Sequence, residues 1–583
     1  MTSRGHRRWA LALAICGFAH PLPAHSQQDR VEAAWAAVTF TRAGFDEVVA
    51  LATQHHVLPT IPDRAWSSAA SGVLRTLDPP LELLPKAFLV EQRASADGAA
   101  WLSGDVVALP ACKDQFAVVA LRKGKPPPAP TDVAELRINR QKRRDMQLRQ
   151  LRAWATTPFR QAGFACTVAS AQAMLAAQPD PDPVAPPGSP TPTALEPQAA
   201  RESRLWRQAS AHFLQGLDAH GSILPTALFT QLEQEAAQQQ AVDVGLVLGR
   251  DGGQVMVIHV ARTGPAAAAG MRRGWVVTAI DGNNLAGLPD ADLNRLLDGK
   301  AGTKVRVMAL RPDAKRPKKL TLVRTKLVRS TITGKVAGES SDVAVVAMGA
   351  FATGSARGIR DALADVQMET GRPPQAIVLD FRGNSGGWVK EATDVADLFL
   401  GDALVASQHY RDGAPRLFKA NVTKDDLKFP VALLVDGECR SSCELVTAAL
   451  QDNDRAVVLG QPTFGKGSVQ AVIDAKQGPW SVLVTIATYR SPRGRSLQGL
   501  GVEPDIALAL ARGQAEPSLR EADLPSALRP DEQVAAHRSR LATPTVAACA
   551  ASKADESVVW RKQLQRNDPW LLSAIDAVGC VGH

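Results

Sequence analysis

Ser441, Lys466 and Gln470 are the side chains whose types and spacing could do covalent chemistry. They fall in one stretch. It runs Cys439-Arg440-Ser441-Ser442-Cys443-Glu444, an apolar helical segment to Asp452, a strand-like Arg455 to Gly460, then Pro462-Thr463-Phe464-Gly465-Lys466-Gly467-Ser468-Val469-Gln470. A serine hydroxyl is a weak nucleophile until a base takes its proton. Lysine serves if its surroundings lower the amine from its usual pKa of about 10.4 toward neutrality. Gln470 is spaced to hydrogen-bond that amine and hold it toward Ser441. No His and Asp pair near the stretch suggests a Ser-His-Asp triad, so serine with lysine is the economical arrangement. A lone lysine between glycines is more often a surface turn, so the elements around it decide what it can do.

From Val343 onward strand-like and helix-like runs alternate. They are a strand Val343 to Met348, a helix Gly354 to Glu369, a strand Ala376 to Asp380, the loop Phe381-Arg382-Gly383-Asn384-Ser385-Gly386-Gly387, a helix Trp388 to Leu400, a strand Val431 to Val435 and a helix Cys443 to Leu450. Such alternation predicts an α/β layer, where sites form at strand ends beside helix starts. Ser441 follows a strand and opens a helix, so the amide of Ser442 faces outward without a partner. Gly386 and Gly387 lack side chains and let a backbone N–H approach a substrate carbonyl. Two such amides would make an oxyanion hole, and losing one donor typically costs about 2.7 to 4 kcal/mol of transition-state stabilisation.

The order of these pieces resembles the carboxyl-terminal processing peptidases, the tail-specific proteases of peptidase family S41. Leu379 to Gly387 resembles the family's LDLRxNPGG, Cys439 to Glu444 its SASASE, and Thr463 to Gln470 its TFGKGxVQ. Tyr489-Arg490-Ser491-Pro492-Arg493-Gly494-Arg495 and Gly499 to Ile506 resemble its closing YxTPxGR and GIxPD, and Leu217-Asp218-Ala219-His220-Gly221-Ser222 its LDPHS. The resemblance covers roughly Arg201 to Leu528. It implies a ClpP/crotonase-like α/β protease core, with Ser441 as nucleophile, Lys466 as base and Gln470 as its partner. It places the oxyanion hole on Gly387 and the Ser442 amide, with Gly386 beside them, and supporting roles on Arg382, Glu444 and Thr463. No cofactor or metal is implied. This sequence departs from the family pattern at Cys439 and Cys443, where a disulfide around Ser441 and two buried thiols stay equally open, and at Arg440, which replaces an alanine.

Upstream, short strands Val244 to Leu248, Val255 to Val260, Trp275 to Ile280 and Lys304 to Met308 are joined by Asp-Gly turns, with one helix at Asp290 to Leu297. This region resembles a PDZ domain: Gly264 to Met271 looks like the stretch before its central strand, and Val244-Gly245-Leu246-Val247 like its carboxylate-binding loop. The implied ligand is the C-terminus of a polypeptide, added as a strand at the sheet edge. Trp275 stands where PDZ domains usually carry an aspartate.

At 583 residues the protein is too long for one core. Arg4, Arg7 and Arg8, the apolar run Trp9 to Ala19 and Ala24-His25-Ser26 read as a secretory signal over 1–26, the run being well short of the roughly 20 residues of a spanning helix. That predicts a periplasmic location, with peripheral membrane association open. Beyond the signal lie a helical region at 27–95, an insertion at 96–177 with Cys112 and Cys166, and a Pro-rich linker at 178–200. A helical segment at 201–240, the PDZ-like domain at 241–327, the protease core at 328–512 and an extension at 513–583 complete the multidomain α/β plan. Proximity favours pairing Cys112 with Cys166, Cys439 with Cys443 and Cys549 with Cys580, although six cysteines allow many pairings. Leu74, Leu77-Asp78 and Leu84-Pro85 recur 140 positions on as Leu214, Leu217-Asp218 and Leu224-Pro225, which leaves a duplication open. The net charge of +9 includes the three signal arginines, and no nucleic-acid partner is inferred. Expected partners are protein or peptide substrates held by their C-termini, with a periplasmic adaptor and a homo-oligomer left open. The rival function is an inactive PDZ scaffold on a protease-like fold.

Overall fold

The computed structural model describes residues 24–36, 38–77, 81–85, 106–107, 116–120, 160–176 and 198–237, then 240–509 apart from short loops, and parts of 520–581. Residues 1–23 of the expected signal segment lie outside the described residues, as do Cys112, Cys549, most of the insertion and most of the Pro-rich linker. In sequence order the elements begin with α1 Ala24–Ala36, α2 Arg42–His55, α3 Asp63–Leu74, β1 Leu81–Pro85, β2 Val106–Val107, β3 Phe116–Ala120, α4 Gln161–Ala176, α5 Gln198–Leu217, β4 Ser222–Pro225 and α6 Thr226–Ala237. Next come β5 Gln240–Asp243, β6 Leu246–Asp251, β7 Gln254–Val260, α7 Pro265–Ala268, β8 Val276–Ile280, β9 Asn283–Asn284, β10 Lys304–Leu310, β11 Lys318–Val323 and β12 Thr325–Val328. Then follow β13 Ile332–Ala337, β14 Val343–Met348, α8 Ser355–Thr370, β15 Ala376–Asp380, α9 Val389–Asp397, β16 Leu404–Tyr410, β17 Arg416–Lys419, β18 Val431–Val435 and α10 Ser442–Asp452. The last elements are β19 Val457–Gly460, β20 Ser468–Asp474, β21 Trp480–Arg490, β22 Ile506–Ala507 and α11 Pro569–Val578. The protein is mixed α/β with several sheets.

The sheet that positions the site has the order β13-β14-β15-β18-β19-β22. Its strands from β14 to β22 run parallel, and β13 adds antiparallel at the edge. Every residue of β18 is buried, as an uninterrupted apolar run in a parallel sheet requires, because both faces are covered. One face meets α8, α9 and α10 in the largest core. The other is closed by α11, whose Trp570, Leu571, Ala574 and Ile575 pack on Val345, Val378, Leu434 and Leu459. Helix α11, the described end of the expected C-terminal extension, therefore belongs to the core of the layer. Since β15, β18 and β19 are parallel neighbours, the loops that leave their C-terminal ends emerge along one edge. Those loops carry Gly387, Ser441 and Lys466.

A second sheet, β17-β16-β21-β20, takes β4 alongside β21. The helices α2 to α5 pack against its far end, with Phe40 5.0 Å from Trp480 between ring centroids and Val57 N–H donating to Thr485 O at 2.8 Å. Phe164 of α4 stacks on Phe45 and belongs to the same cluster as Phe213 and Leu74, so the end of the expected insertion is part of this cap. The helical region expected at 27–95 also contains the strand β1, paired with β3. Helix α3 ends at Leu74, and the short apolar run of β1 finds a strand partner in β3 instead. Both copies of the internal match fold alike: α3 and α5 are each followed by a short strand that ends in Leu-Pro.

The third sheet, β11-β10-β8-β7-β6, has its own apolar core around Leu246, Val257, Ile280 and Leu293. The backbone enters it along β5 and leaves along β12, and these two pair antiparallel from Thr325↔Asp243 to Val328↔Gln240. No helix among the described residues is long and apolar enough to cross a membrane.

Candidate active site

Ser441 caps the N-terminus of α10 with φ 54° and ψ −115°. A non-glycine residue rarely holds such a backbone, which costs on the order of 1 to 3 kcal/mol and persists only where the surroundings enforce it. Here they do. Ser441 N–H donates to Glu444 Oε2 at 2.8 Å, and Arg440 N–H donates to Asn384 O at 3.1 Å. On the neighbouring loop Ser442 Oγ donates to Gly387 O at 2.8 Å. Cys439 and Cys443, both fully buried, are joined at 2.03 Å and bracket the serine. Cys166 and Cys580 also stand in disulfides, and their expected partners Cys112 and Cys549 lie outside the described residues.

The loop between β15 and α9 is fitted against this turn. Asn384 is buried, donates through Nδ2 to Met348 O at 2.8 Å and accepts Gly386 N–H at 2.9 Å. A Cβ on Gly386 would stand 3.1 Å from Ser441 Cβ, and one on Gly387, at φ 141°, would stand 2.1 Å from Phe351 O. Only glycine fits the second position. Phe351 bridges this loop through Gly386 O and Trp388 N–H, leaving Gly387 N–H outside the bridge. Ser442 is the first helical residue and its N–H has no partner one turn back.

Lys466 lies on the loop from β19 to β20 and is 6% exposed. Its Nζ donates to Gln470 Oε1 at 2.8 Å and to Ser468 O at 3.4 Å. Gln470, in β20, turns its own Nε2 to Ser468 Oγ and Thr485 Oγ1 at 3.0 and 3.1 Å, which fixes the amide so that its oxygen faces the lysine. Glu444 fastens this loop to the serine turn. Its oxygens accept Thr463 Oγ1 at 2.6 Å, Gly465 N–H at 2.5 Å and Lys466 N–H at 2.7 Å, besides Ser441 N–H. Burial pushes the Glu444 carboxyl up to about 7, against the pull of these donors. Phe464 N–H donates to Cys439 O at 3.0 Å, a third stitch between the two loops, and Arg440 lays its guanidinium 4.4 Å from the Phe464 ring centre.

Arg382 is engaged elsewhere. Its guanidinium takes Asp380 and, 186 positions on, both oxygens of Asp568 at the start of α11, so it clamps the helix that covers the sheet. Val244 and Gly245 lead from β5 into the third sheet, and Leu246 and Val247 stand in it, not among the Ser441 loops. Val244 O accepts Ala266 N–H at 2.9 Å, Gly245 has φ 78°, and Leu246 and Val247 begin β6. Asn384, Ser468 and Thr485, which sequence reasoning passed over, prove to hold Gly386 and Gln470. Asn384 was visible only as a residue of the glycine loop.

Residues 342–508 match the model of Peptidase family S41. This segment is an S41 peptidase domain. The chloroplastic C-terminal processing peptidase of Tetradesmus obliquus is 31% identical over 284 residues, which are 46% of this protein and 60% of that one. The carboxy-terminal-processing protease of Bartonella bacilliformis is 27% identical over 310 residues, 52% of this protein and 70% of its own length. Among solved structures, a photosystem II D1 C-terminal processing protease is 27% identical over 52% of this protein and 82% of that one, with a TM-score of 0.33. Ser441, Lys466, Gln470, Gly387, Glu444 and Thr463 all fall inside the S41 segment. The third sheet, the helical cap and α11 fall outside it.

Proposed function

We propose that the protein is an exported serine endopeptidase of the C-terminal processing type, acting through Ser441, Lys466 and Gln470. The observation that carries this reading is a buried lysine amine, aimed by a glutamine whose own amide is fixed. It stands on a loop that one buried carboxylate ties to a strained serine turn. Ser441 Oγ attacks the scissile carbonyl carbon while its proton passes to Lys466 Nζ, and the carbonyl electron pair moves onto oxygen. The N–H groups of Gly387 and Ser442 meet that oxyanion. The Lys466 ammonium then protonates the departing amine, the C–N bond breaks and an acyl ester remains on Ser441. Water attacks the ester, gives its proton to Lys466 and releases the new C-terminus, and the proton returns to Ser441 Oγ.

In this reading the layer is of the ClpP/crotonase-like kind and the third sheet is a PDZ domain that takes a substrate's C-terminus beside β6, through the Val244 to Val247 segment. The left-handed Gly245 at the entry to β6 supports it, since such a turn presents successive N–H groups to a carboxylate. Substrates are proteins with accessible apolar tails. The test compares two unstructured substrates of one sequence, one with a free apolar C-terminus and one amidated there. The free tail should raise kcat/KM by at least about tenfold. Equal cleavage of both would remove the tail-binding part of the reading, and failure to cleave either would remove the peptidase.

A further inference from the structure

We propose that Glu521 is a positioning residue for Lys466 and that His220 holds Glu521 in place. The proposal rests on the reading of Lys466 as the base. Glu521 lies beyond the S41 segment and opens a single 3-10 turn, Glu521–Asp523. It is fully buried, and its contacts frame the lysine from both sides. Its N–H donates to Phe464 O at 3.0 Å. Its Oε1 accepts Gln498 Nε2 at 2.8 Å, and Gln498 Oε1 in turn accepts Gly467 N–H at 3.1 Å. Glu444 takes the inward-facing N–H groups of Gly465 and Lys466, so the lysine loop is held between two buried carboxylates. Glu521 also lies within electrostatic reach of the amine. Burial alone would raise its carboxyl, yet the hydrogen bonds from His220 and Gln498 and the charges of His220 and Lys466 hold it below the ordinary range.

His220 reaches Glu521 from 301 positions away, with Nε2 at 2.9 and 3.0 Å from the two oxygens. It is itself set by Asp218, whose Oδ1 accepts the N–H groups of His220 and Gly221 at 2.7 and 3.1 Å. Asp218 Oδ2 accepts His56 Nε2 at 2.7 Å, the His56 ring having its other nitrogen occupied by Leu58 N–H at 3.0 Å. The next residue, Val57, donates its N–H to the carbonyl of Thr485, the residue whose hydroxyl fixes Gln470. One buried polar network thus runs from the helical cap to both ends of the Lys466 and Gln470 pair. Polar groups this deep are costly unless satisfied, and here satisfaction fixes the lysine loop.

The test uses the full-length protein and a fluorophosphonate reporter, which acylation-competent serines take up irreversibly. The end point of labelling counts folded sites and the rate reads the readiness of Ser441 with its base. Glu521→Ala and His220→Ala should slow labelling and kcat about tenfold to a hundredfold, with KM within about twofold and the end point unchanged. His220→Gln, which keeps an N–H donor at similar reach, should recover most of the rate. If Glu521→Ala does not fold, Glu521→Gln keeps one acceptor oxygen and should slow labelling by a smaller factor. Wild-type labelling rates at a lowered end point would overturn the proposal, because they describe a residue that only stabilises the fold. A wild type that does not label, or a Ser441→Ala variant that does, would overturn the serine and lysine reading and this proposal with it.

Discussion

Glu444 holds a carboxylate that water does not reach and that four donors surround, two on each oxygen. Only the ionised form can accept from all four, because a proton on either oxygen would face a donor. Replacing it by glutamine points an NH2 group at one or two backbone N–H groups, depending on which way the amide turns, and each buried donor left unsatisfied costs about 1 to 3 kcal/mol. Glu444→Gln should therefore lose peptidase activity by about a hundredfold or more, as measured by initial rates on a fluorogenic peptide. The carboxyl, pushed up to about 7 by burial, also sets a pH dependence. As pH falls through that value the carboxyl takes up a proton inside the closed site and loses an acceptor for the donors on the serine and lysine loops, so kcat/KM should fall on the acid side with a midpoint near 7. A flat profile from about pH 5 to 8 would contradict this role.

At the scale of elements, the serine turn is braced by the bond between Cys439 and Cys443, which closes across Ser441 where α10 begins. Full reduction should lower activity several-fold and reoxidation restore it, assayed on protein whose thiols have been counted. Unchanged turnover after complete reduction of Cys439 and Cys443 would show that backbone hydrogen bonds alone hold the turn. Strands β14, β15 and β18 were legible in the sequence because parallel strands covered on both faces read as unbroken apolar runs. The strand β1 was not, since a short apolar run after two prolines looks the same on a helix or in a strand until its partner is known. The candidate site was legible where its pieces lie close in sequence, as Ser441, Glu444, Lys466 and Gln470 do. Contacts that cross 186 and 301 positions left no local mark: Arg382 takes Asp568, and His220 takes Glu521. The motif around Asp218 and His220 pointed to a segment and could not say what the segment touches.

At the scale of the molecule, the third sheet hangs on a neck of two paired strands, β5 and β12, whose ends at Asp243 and Thr325 are register partners. Residues 244–324 can therefore be replaced by a short turn without spreading the flanking strands. That variant should still cleave an unstructured substrate and should lose the preference for a free apolar tail, read as the ratio of kcat/KM for free and amidated substrates. The helical cap and α11 are different. They share cores with the two sheets that carry the site, so the working unit extends well beyond residues 342–508. The central claim, that Ser441 attacks and Lys466 takes its proton, is tested most directly by proteolysis of one unstructured substrate by wild type, Ser441→Ala and Lys466→Ala, each checked for an unchanged unfolding midpoint. The wild type should cleave and both variants should fall to background, whereas undiminished cleavage by either variant would contradict the account.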